Sequence, residues 1–231
     1  MNNNPLIIIQ SRYSSKRLYG KILYPICGIP LISFLIKRLK YNLPSFYNIV
    51  LATTKNKEDD ILVHWADSEN IVCYRGSEND VLNRYVNCLK LFPAKTIVRV
   101  TGDNPLTCPK IIEWLISEKV DKDLDYIFCE NLPYGAGVDV FDSEALIKID
   151  SKTNLEDERE HINLHILRNI DDFKTSFPRV KNKLSRPGIR ITIDTIDDWY
   201  QINQLFHESN DQQYNLSLEE AIQIMDSLNV R

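Results

Sequence analysis

The sequence predicts an α/β domain whose strands lie mostly parallel in one sheet covered on both faces. Three observations predict it. Short apolar or β-branched runs recur at Leu6–Ile9, Asn48–Ala52, Ile71–Tyr74, Thr96–Val100 and Asp125–Cys129. Segments of helical periodicity stand between them, and strands alternating with helices in this way imply parallel pairing. The first run contains no polar residue, as expected of a strand with no solvent-facing side.

Each intervening element has its own justification. Pro30–Leu39 carries apolar residues at helical spacing, and Lys57–Asp67 reads as the next helix. Ser77 is a candidate cap for a helix whose apolar positions are Val81, Leu82, Tyr85 and Leu89. Pro109 opens the helix Pro109–Glu118, where its missing N–H costs nothing. After about Asn131 the rhythm changes. Gly135–Phe141 reads as a turn and short strand, Ser143–Ile149 as a short helix and Leu155–Asn169 as a longer charged one. Phe173–Phe177 and Ile189–Ile193 alternate like strands around the polar segment Pro178–Pro187, and helices follow near Asp197–Phe206 and Ser217–Leu228. The reading is a single domain, 1–231, interrupted over about 131–188 by an excursion too long for an ordinary loop.

Composition narrows the function. The chain has 231 residues, 43% hydrophobic and 26% charged, which excludes wholesale disorder. A net charge of −4 argues against a nucleic-acid partner held by bulk electrostatics. No apolar run approaches the length needed to span a bilayer, so no membrane partner is expected. Met1-Asn2-Asn3-Asn4 lacks the basic region of a signal peptide, and the expected location is the cytoplasm. The five cysteines form no C-x-x-C pair and read as buried, inert thiols.

In parallel sheets, ligands bind beyond the carboxyl ends of the strands. The loop from Gln10 to Lys21 follows the first strand and holds four cations, three serines and one glycine. Arginine forks, a lysine point charge and hydroxyl donors suit a polyphosphate, although a solvated basic loop would have the same composition. The loop is neither a Walker A nor a G-x-G-x-x-G turn. Asp103, in Arg99-Val100-Thr101-Gly102-Asp103-Asn104-Pro105, sits just past the fourth strand and is too far from Pro109 to cap its helix. A carboxylate there suits magnesium held against phosphate oxygens. Asp194, in Arg190-Ile191-Thr192-Ile193-Asp194-Thr195, is delivered in the same way and could share that cation. Alternatively, Asp194 or Thr195 simply caps the helix behind. His161 and His165 have metal-ligand spacing, yet the Glu of H-E-x-x-H and an obvious third ligand are missing.

Four segments in order, "IIIQSRYSSKRLYGKIL", "YRGSENDVLNRY", "RVTGDNPL" and "EREHI", resemble the spore coat polysaccharide biosynthesis protein F group of the cytidylyltransferases. That family includes the CMP-3-deoxy-manno-octulosonate and CMP-sialic acid synthetases. The resemblance runs from about Leu6 to Asp198. It implies a Rossmann-like three-layer sandwich with an inserted dimerisation element, hence a homodimer. It also implies transfer of CMP from CTP to a small acidic acceptor, with Mg²⁺ and pyrophosphate release. By motif, Arg12, Ser14, Ser15, Arg17 and Lys21 would bind the CTP phosphates, and Gly76, Ser77 and Asp80 the nucleoside. Asp103 and Asp194 would bind the metal. Arg12, Lys21, Asp103 and Asp194 would form the catalytic set, while Asp139, Arg159, Glu160 and His161 would lie at the acceptor or dimer face. The chain departs from the pattern at Lys16, Tyr19 and Ile196, and its "GVDVF" is two residues shorter than usual, so the acceptor pocket differs. Two rivals stand beside this reading. One is a glycosyltransferase, whose D-x-D would be Asp123-Leu124-Asp125; the other is a non-catalytic nucleotide-binding scaffold.

Overall fold

The computed structural model describes residues 4–209 and 214–229; the N-terminal residues 1–3, on which the signal-peptide expectation rests, lie outside them. The chain begins with β1 (Leu6–Gln10), a small hairpin of β2 (Pro25–Ile26) and β3 (Ile29–Pro30), and α1 (Leu31–Asn42). It continues through β4 (Asn48–Thr54), α2 (Asp60–Ser68), β5 (Val72–Gly76), α3 (Val81–Leu91), β6 (Thr96–Thr101) and α4 (Pro109–Asp121). Next come β7 (Tyr126–Phe128), β8 (Asp139–Asp142), α5 (Ser143–Lys152), α6 (Glu156–Glu160), α7 (Leu164–Arg168) and β9 (Thr175–Ser176). Helices α8 (Ile196–Glu208) and α9 (Leu218–Asn229) close the described chain.

Seven strands form one sheet in the order β5-β4-β1-β6-β8-β7-β9, parallel except where β8 runs against both β6 and β7. Alternate residues of β1 feed opposite faces, as the pleat requires. Ile7 and Ile9 join a core built with α1, α4, α8 and α9. Leu6 and Ile8 join a second core with α3, α5 and the Ile162 and Ile166 side chains. The result is the three-layer sandwich that the sequence predicts. From β1 the chain first winds outward to β4 and β5, then returns to β6 on the other side. This reversal opens a crevice at the carboxyl ends of β1 and β6, where α/β sheets take their ligands.

Several elements differ from expectation for identifiable reasons. Leu155–Asn169 is two short helices, because the turn at His161 closes through Leu164 N–H to the His161 carbonyl at 2.8 Å. The isoleucines of Ile189–Ile193 are buried as expected, yet the segment bends at Thr192 and makes only an isolated bridge, Arg190 beside Tyr134. The segment crosses the sheet's carboxyl edge instead of joining a ladder, with Ile193 N–H donating to the Asp103 carbonyl at 2.9 Å. Asp80, not Ser77, caps α3 by accepting from Asn83 N–H at 2.9 Å. Residues 131–188 contribute β8 to the sheet interior and α5 to the α3 face. None of the five cysteines is disulfide-bonded; Cys88, Cys108 and Cys129 are buried, while Cys27 and Cys73 are only half-buried.

One close approach carries the site's far wall. Gly135 has φ +103°, and a Cβ there would fall 2.9 Å from the Thr192 backbone nitrogen and 3.0 Å from the Ile191 carbonyl carbon. The obstacle is the Ile191–Thr192 backbone, which cannot swing aside as a flexible side chain would, and the conformation itself is strained for any L side chain. Gly135→Ala should lower unfolding free energy by about 2 kcal/mol or more in a urea titration. A midpoint matching wild type would show that this packing is softer than its geometry.

Candidate active site

The crevice at the strand ends is a cleft of about 750 Å³. Its floor is built by the loops after β1 and β6, which pack without a gap. Gly102 N–H donates to the Gln10 carbonyl at 2.8 Å, and a Cβ on Gly102 would meet Ser11 Oγ at 2.5 Å. The basic loop is anchored from the side by the buried Asp59 carboxylate, which accepts from Tyr13 N–H at 2.6 Å and from Thr54 N–H at 3.1 Å. A single 3-10 turn, Lys21–Leu23, then sends the Lys21 side chain inward.

Lys21 is the centre of the cleft. Its buried ammonium donates to Asp103 Oδ2 at 2.7 Å and to Asp194 Oδ1 at 2.8 Å. Arg17 donates to the same Asp194 oxygen at 2.6 Å, and Arg190 takes the other one. Burial alone would raise the Asp194 pKa, but Lys21 and the two arginines outweigh it and hold the carboxyl below its ordinary value. The helix behind is capped by Thr195 and Asp198 in a reciprocal capping box. Asp198 also accepts from the Asp194 N–H at 2.8 Å. Thr195 rather than Asp194 therefore caps α8, and the Asp194 carboxylate faces the cleft.

Arg12, Ser14, Ser15, Arg17 and Lys21 all border the cleft, as do Asp103, Asp139, Glu160, His161 and Asp194. Arg12 lies on Glu78 Oε1 at 3.2 Å. Asp139, at the opposite end, accepts from the Tyr126 hydroxyl at 2.6 Å, Arg99 Nη1 at 3.0 Å and Asn163 Nδ2 at 3.1 Å. Burial opposes the charge on Arg99, and Asp139 more than restores it. Four expected residues stand behind the cleft wall instead. Asp80 caps α3 and receives Arg159 Nε at 2.7 Å, and Ser77 Oγ accepts the Asp80 N–H at 3.1 Å. Arg159 is further held by Asp150 at 2.6 Å, and Gly76 makes room for the Arg84 side chain.

Glu78, Arg84, Arg99 and Tyr134 border the cleft and were not anticipated. Two of them left a trace: Arg99 interrupts an otherwise apolar strand, and Arg84 shares the helical face of Val81 and Tyr85. The D-x-D pair lies elsewhere. Asp123 pairs with Lys174 at 2.7 Å, and Asp125 accepts the Lys174 N–H at 2.9 Å. His165 turns away from His161 onto Glu158 at 2.7 Å.

Among the described residues no three or more His, Cys, Asp or Glu side chains group closely enough to hold a metal by themselves. Asp103 and Asp194 converge on one ammonium from two sides. Two carboxylates on a polar cleft fit a magnesium-like cation that completes its shell with phosphate and water oxygens.

A switch-point crevice lined by a basic loop and two aspartates marks a nucleotide-handling α/β enzyme. The comparisons with known proteins specify which. The family model described as cytidylyltransferase matches residues 6–225, and the chain belongs to that family, which makes it a nucleotidyltransferase. It is 32% identical to spore coat polysaccharide biosynthesis protein SpsF of Bacillus subtilis (strain 168), over 97% of this chain and 95% of that protein. An uncharacterised protein of Methanocaldococcus jannaschii is 37% identical over 83% of this chain and 79% of its own length. Among solved structures, a cytidylyltransferase from Leptospira borgpetersenii superposes with a TM-score of 0.91 at 28% identity, covering 99% of this chain and 96% of that one. CMP:2-keto-3-deoxy-manno-octonic acid synthetase, solved with CTP, shares the fold at a TM-score of 0.68 and 15% identity, covering 90% of this chain and 100% of that one.

The turn that presents His161 has its own electrostatic anchor. Burial of Glu158 raises its pKa, but bonds from Thr153, His165 and Arg168 outweigh that and bring it below the ordinary 4.5. A depressed folded value stabilises the fold above the unfolded pKa, and the contribution is lost as pH falls through the folded one. Glu158→Gln should therefore show a shallower loss of stability than wild type below about pH 4.5 in urea titrations. Parallel acid limbs would exclude Glu158 as a contributor.

Proposed function

We propose that this protein transfers the cytidylyl group of CTP to a small acidic sugar or related acceptor, releasing pyrophosphate. The product would serve surface polysaccharide or glycoconjugate assembly. The observation that carries the proposal is Lys21 spanning Asp103 and Asp194 at the foot of the basic loop. The polysaccharide role named for the Bacillus subtilis relative supports that setting. A 3-deoxy-manno-octulosonate cytidylyltransferase of Pseudoalteromonas translucida, 33% identical over 46% of this chain and 41% of its own, supports a sugar acid as acceptor.

In this reading Arg12, Ser14, Ser15, Arg17 and Lys21 receive the triphosphate. Ser77, Gly76 and Asp80 support the nucleoside end from behind, through α3. The acceptor enters between Asp139, Glu160 and His161, with Arg159 positioning their turn. An acceptor oxygen attacks the α-phosphorus, forming the new O–P bond as the bond to pyrophosphate breaks. The hydroxyl proton passes to water. Arg12, Arg17 and Lys21 offset the charge growing on the leaving pyrophosphate. Asp103 and Asp194 would hold a divalent cation such as Mg²⁺, which when bound neutralises phosphate charge and acidifies the acceptor hydroxyl.

No described helix is long and apolar enough to cross a membrane. The cytoplasm, which supplies CTP, is the proposed location. Homodimer formation through residues 131–188 belongs to the same proposal, with Ile147, Leu155, Leu167 and Ile170 among its exposed apolar side chains.

Pyrophosphate release should require CTP, a divalent cation and a sugar-acid acceptor together, with 3-deoxy-manno-octulosonate and N-acetylneuraminate as the first two tried. Asp103→Ala should cut kcat by about 10³-fold or more while the melting temperature stays within a few degrees. Near-wild-type turnover in that variant would remove Asp103 from the reaction. Equal pyrophosphate release from UTP would overturn the cytidylyl assignment.

A further inference from the structure

The basic loop enters the cleft on backbone that the fold does not hold directly. Ser14, Ser15, Lys16 and Arg17 border the cleft, yet among the described residues no hydrogen bond reaches the backbone of these four. The Arg17 side chain is 63% exposed, although its guanidinium reaches Asp194 at 2.6 Å. A long, exposed side chain on unbonded backbone samples many positions. A ligand that needs one of them binds in proportion to its population. Whatever fixes this loop acts at its two ends.

Both ends meet at one pair of rings. Tyr13 and Tyr19 pack edge to face, with centroids 5.1 Å apart and planes at 86°. Gly20 N–H donates to the Tyr13 carbonyl at 3.1 Å, and a Cβ on Gly20 would fall 3.1 Å from the Tyr13 ring. The short 3-10 turn Lys57–Asp59 holds both tyrosines through adjacent carboxylates. Asp59 accepts from the Tyr13 N–H at 2.6 Å, and Glu58 accepts from the Tyr19 hydroxyl at 2.9 Å. The two bonds differ in setting. Asp59 is buried and also accepts from Thr54 N–H, so its bond belongs to the fold. Tyr19 is 58% exposed and lies outside the cleft lining, so neither core packing nor ligand contact accounts for it. Its ring and its hydroxyl both act to close the loop.

We propose that Tyr19 is a positioning residue. With Tyr13 and Glu58 it staples the loop between them shut, and so sets Arg17 and the two serines for the triphosphate. This rests on the cytidylyl-transfer reading and extends it to a side chain that does not border the cleft.

The test begins without ligand. Trypsin cleaves after Lys16 and Arg17 only when the loop opens, so Tyr19→Ala should raise cleavage there about fivefold or more. Tyr19→Phe, which keeps the ring pair, should raise it about twofold. Calorimetric titration of CTP, without acceptor, gives the second readout. Tyr19→Ala should weaken CTP about tenfold and Tyr19→Phe about threefold. In an Arg17→Ala background the Tyr19→Ala change should weaken CTP far less, because the main group it positions is gone. If Tyr19→Ala fails to fold, the exposed Tyr19→Phe decides alone, by the same two readouts. Unchanged cleavage, unchanged CTP affinity, or factors that simply multiply in the double variant overturn the positioning role and leave cytidylyl transfer standing. Wild type that binds no CTP overturns the transfer reading itself, and the positioning role with it.

Discussion

Two carboxylates cannot share a small volume in ionised form without a cation between them. Lys21 supplies that cation for Asp103 and Asp194, and its ammonium joins three segments far apart in the sequence. Much of the surrounding architecture holds this arrangement in place. The Ile193 N–H on the Asp103 carbonyl brings the third segment alongside the second. Gly102 lets the second lie directly on the first. The Thr195–Asp198 capping box, with Asp198 also on the Asp194 N–H, fixes which way Asp194 faces.

The same centre is balanced for exchange. Asp194 takes bonds from three cations, Lys21, Arg17 and Arg190, so it keeps partners when one of them is drawn away. Arg17 is largely exposed, while Arg190 also serves Asp198. In the proposed reaction a triphosphate competes for Arg17 and Lys21 with a higher charge than either aspartate offers. Their transfer would leave Asp103 and Asp194 open to a cation arriving with the nucleotide. At the other end, Asp139 is already satisfied by Tyr126, Arg99 and Asn163, which makes it a rigid wall.

How much of this the sequence discloses depends on the range of the interaction. The parallel core was legible, because Leu6–Ile9 records double burial in its own composition and the later apolar runs alternate with helical segments. So was the basic loop, whose charge and position need no tertiary information. Asp103 and Asp194 could be placed at strand ends, but their convergence on Lys21 depends on a backbone bond between Ile193 and Asp103 that no local pattern encodes. The alternation in Ile189–Ile193 reports burial of one face, and a segment crossing the sheet's edge satisfies it as well as a strand does. Leu155–Asn169 contains no proline or glycine to announce its break at His161. Arg159 carried a motif signal, yet its three partners make it a support for the cleft wall.

The central claim is that Lys21 serves the nucleotide as well as the aspartate pair, and Lys21→Met addresses it most directly. Methionine fills a similar volume without charge, and Arg17 and Arg190 remain to hold Asp194. The measurement is the dissociation constant for CTP, by calorimetry, in wild type and in this variant at the same ionic strength. At least a tenfold weakening of CTP, in a variant whose circular dichroism matches wild type, is the result the account predicts. Unchanged CTP affinity would mean that Lys21 is a structural counter-ion only, and the triphosphate site would then have to lie elsewhere in the cleft.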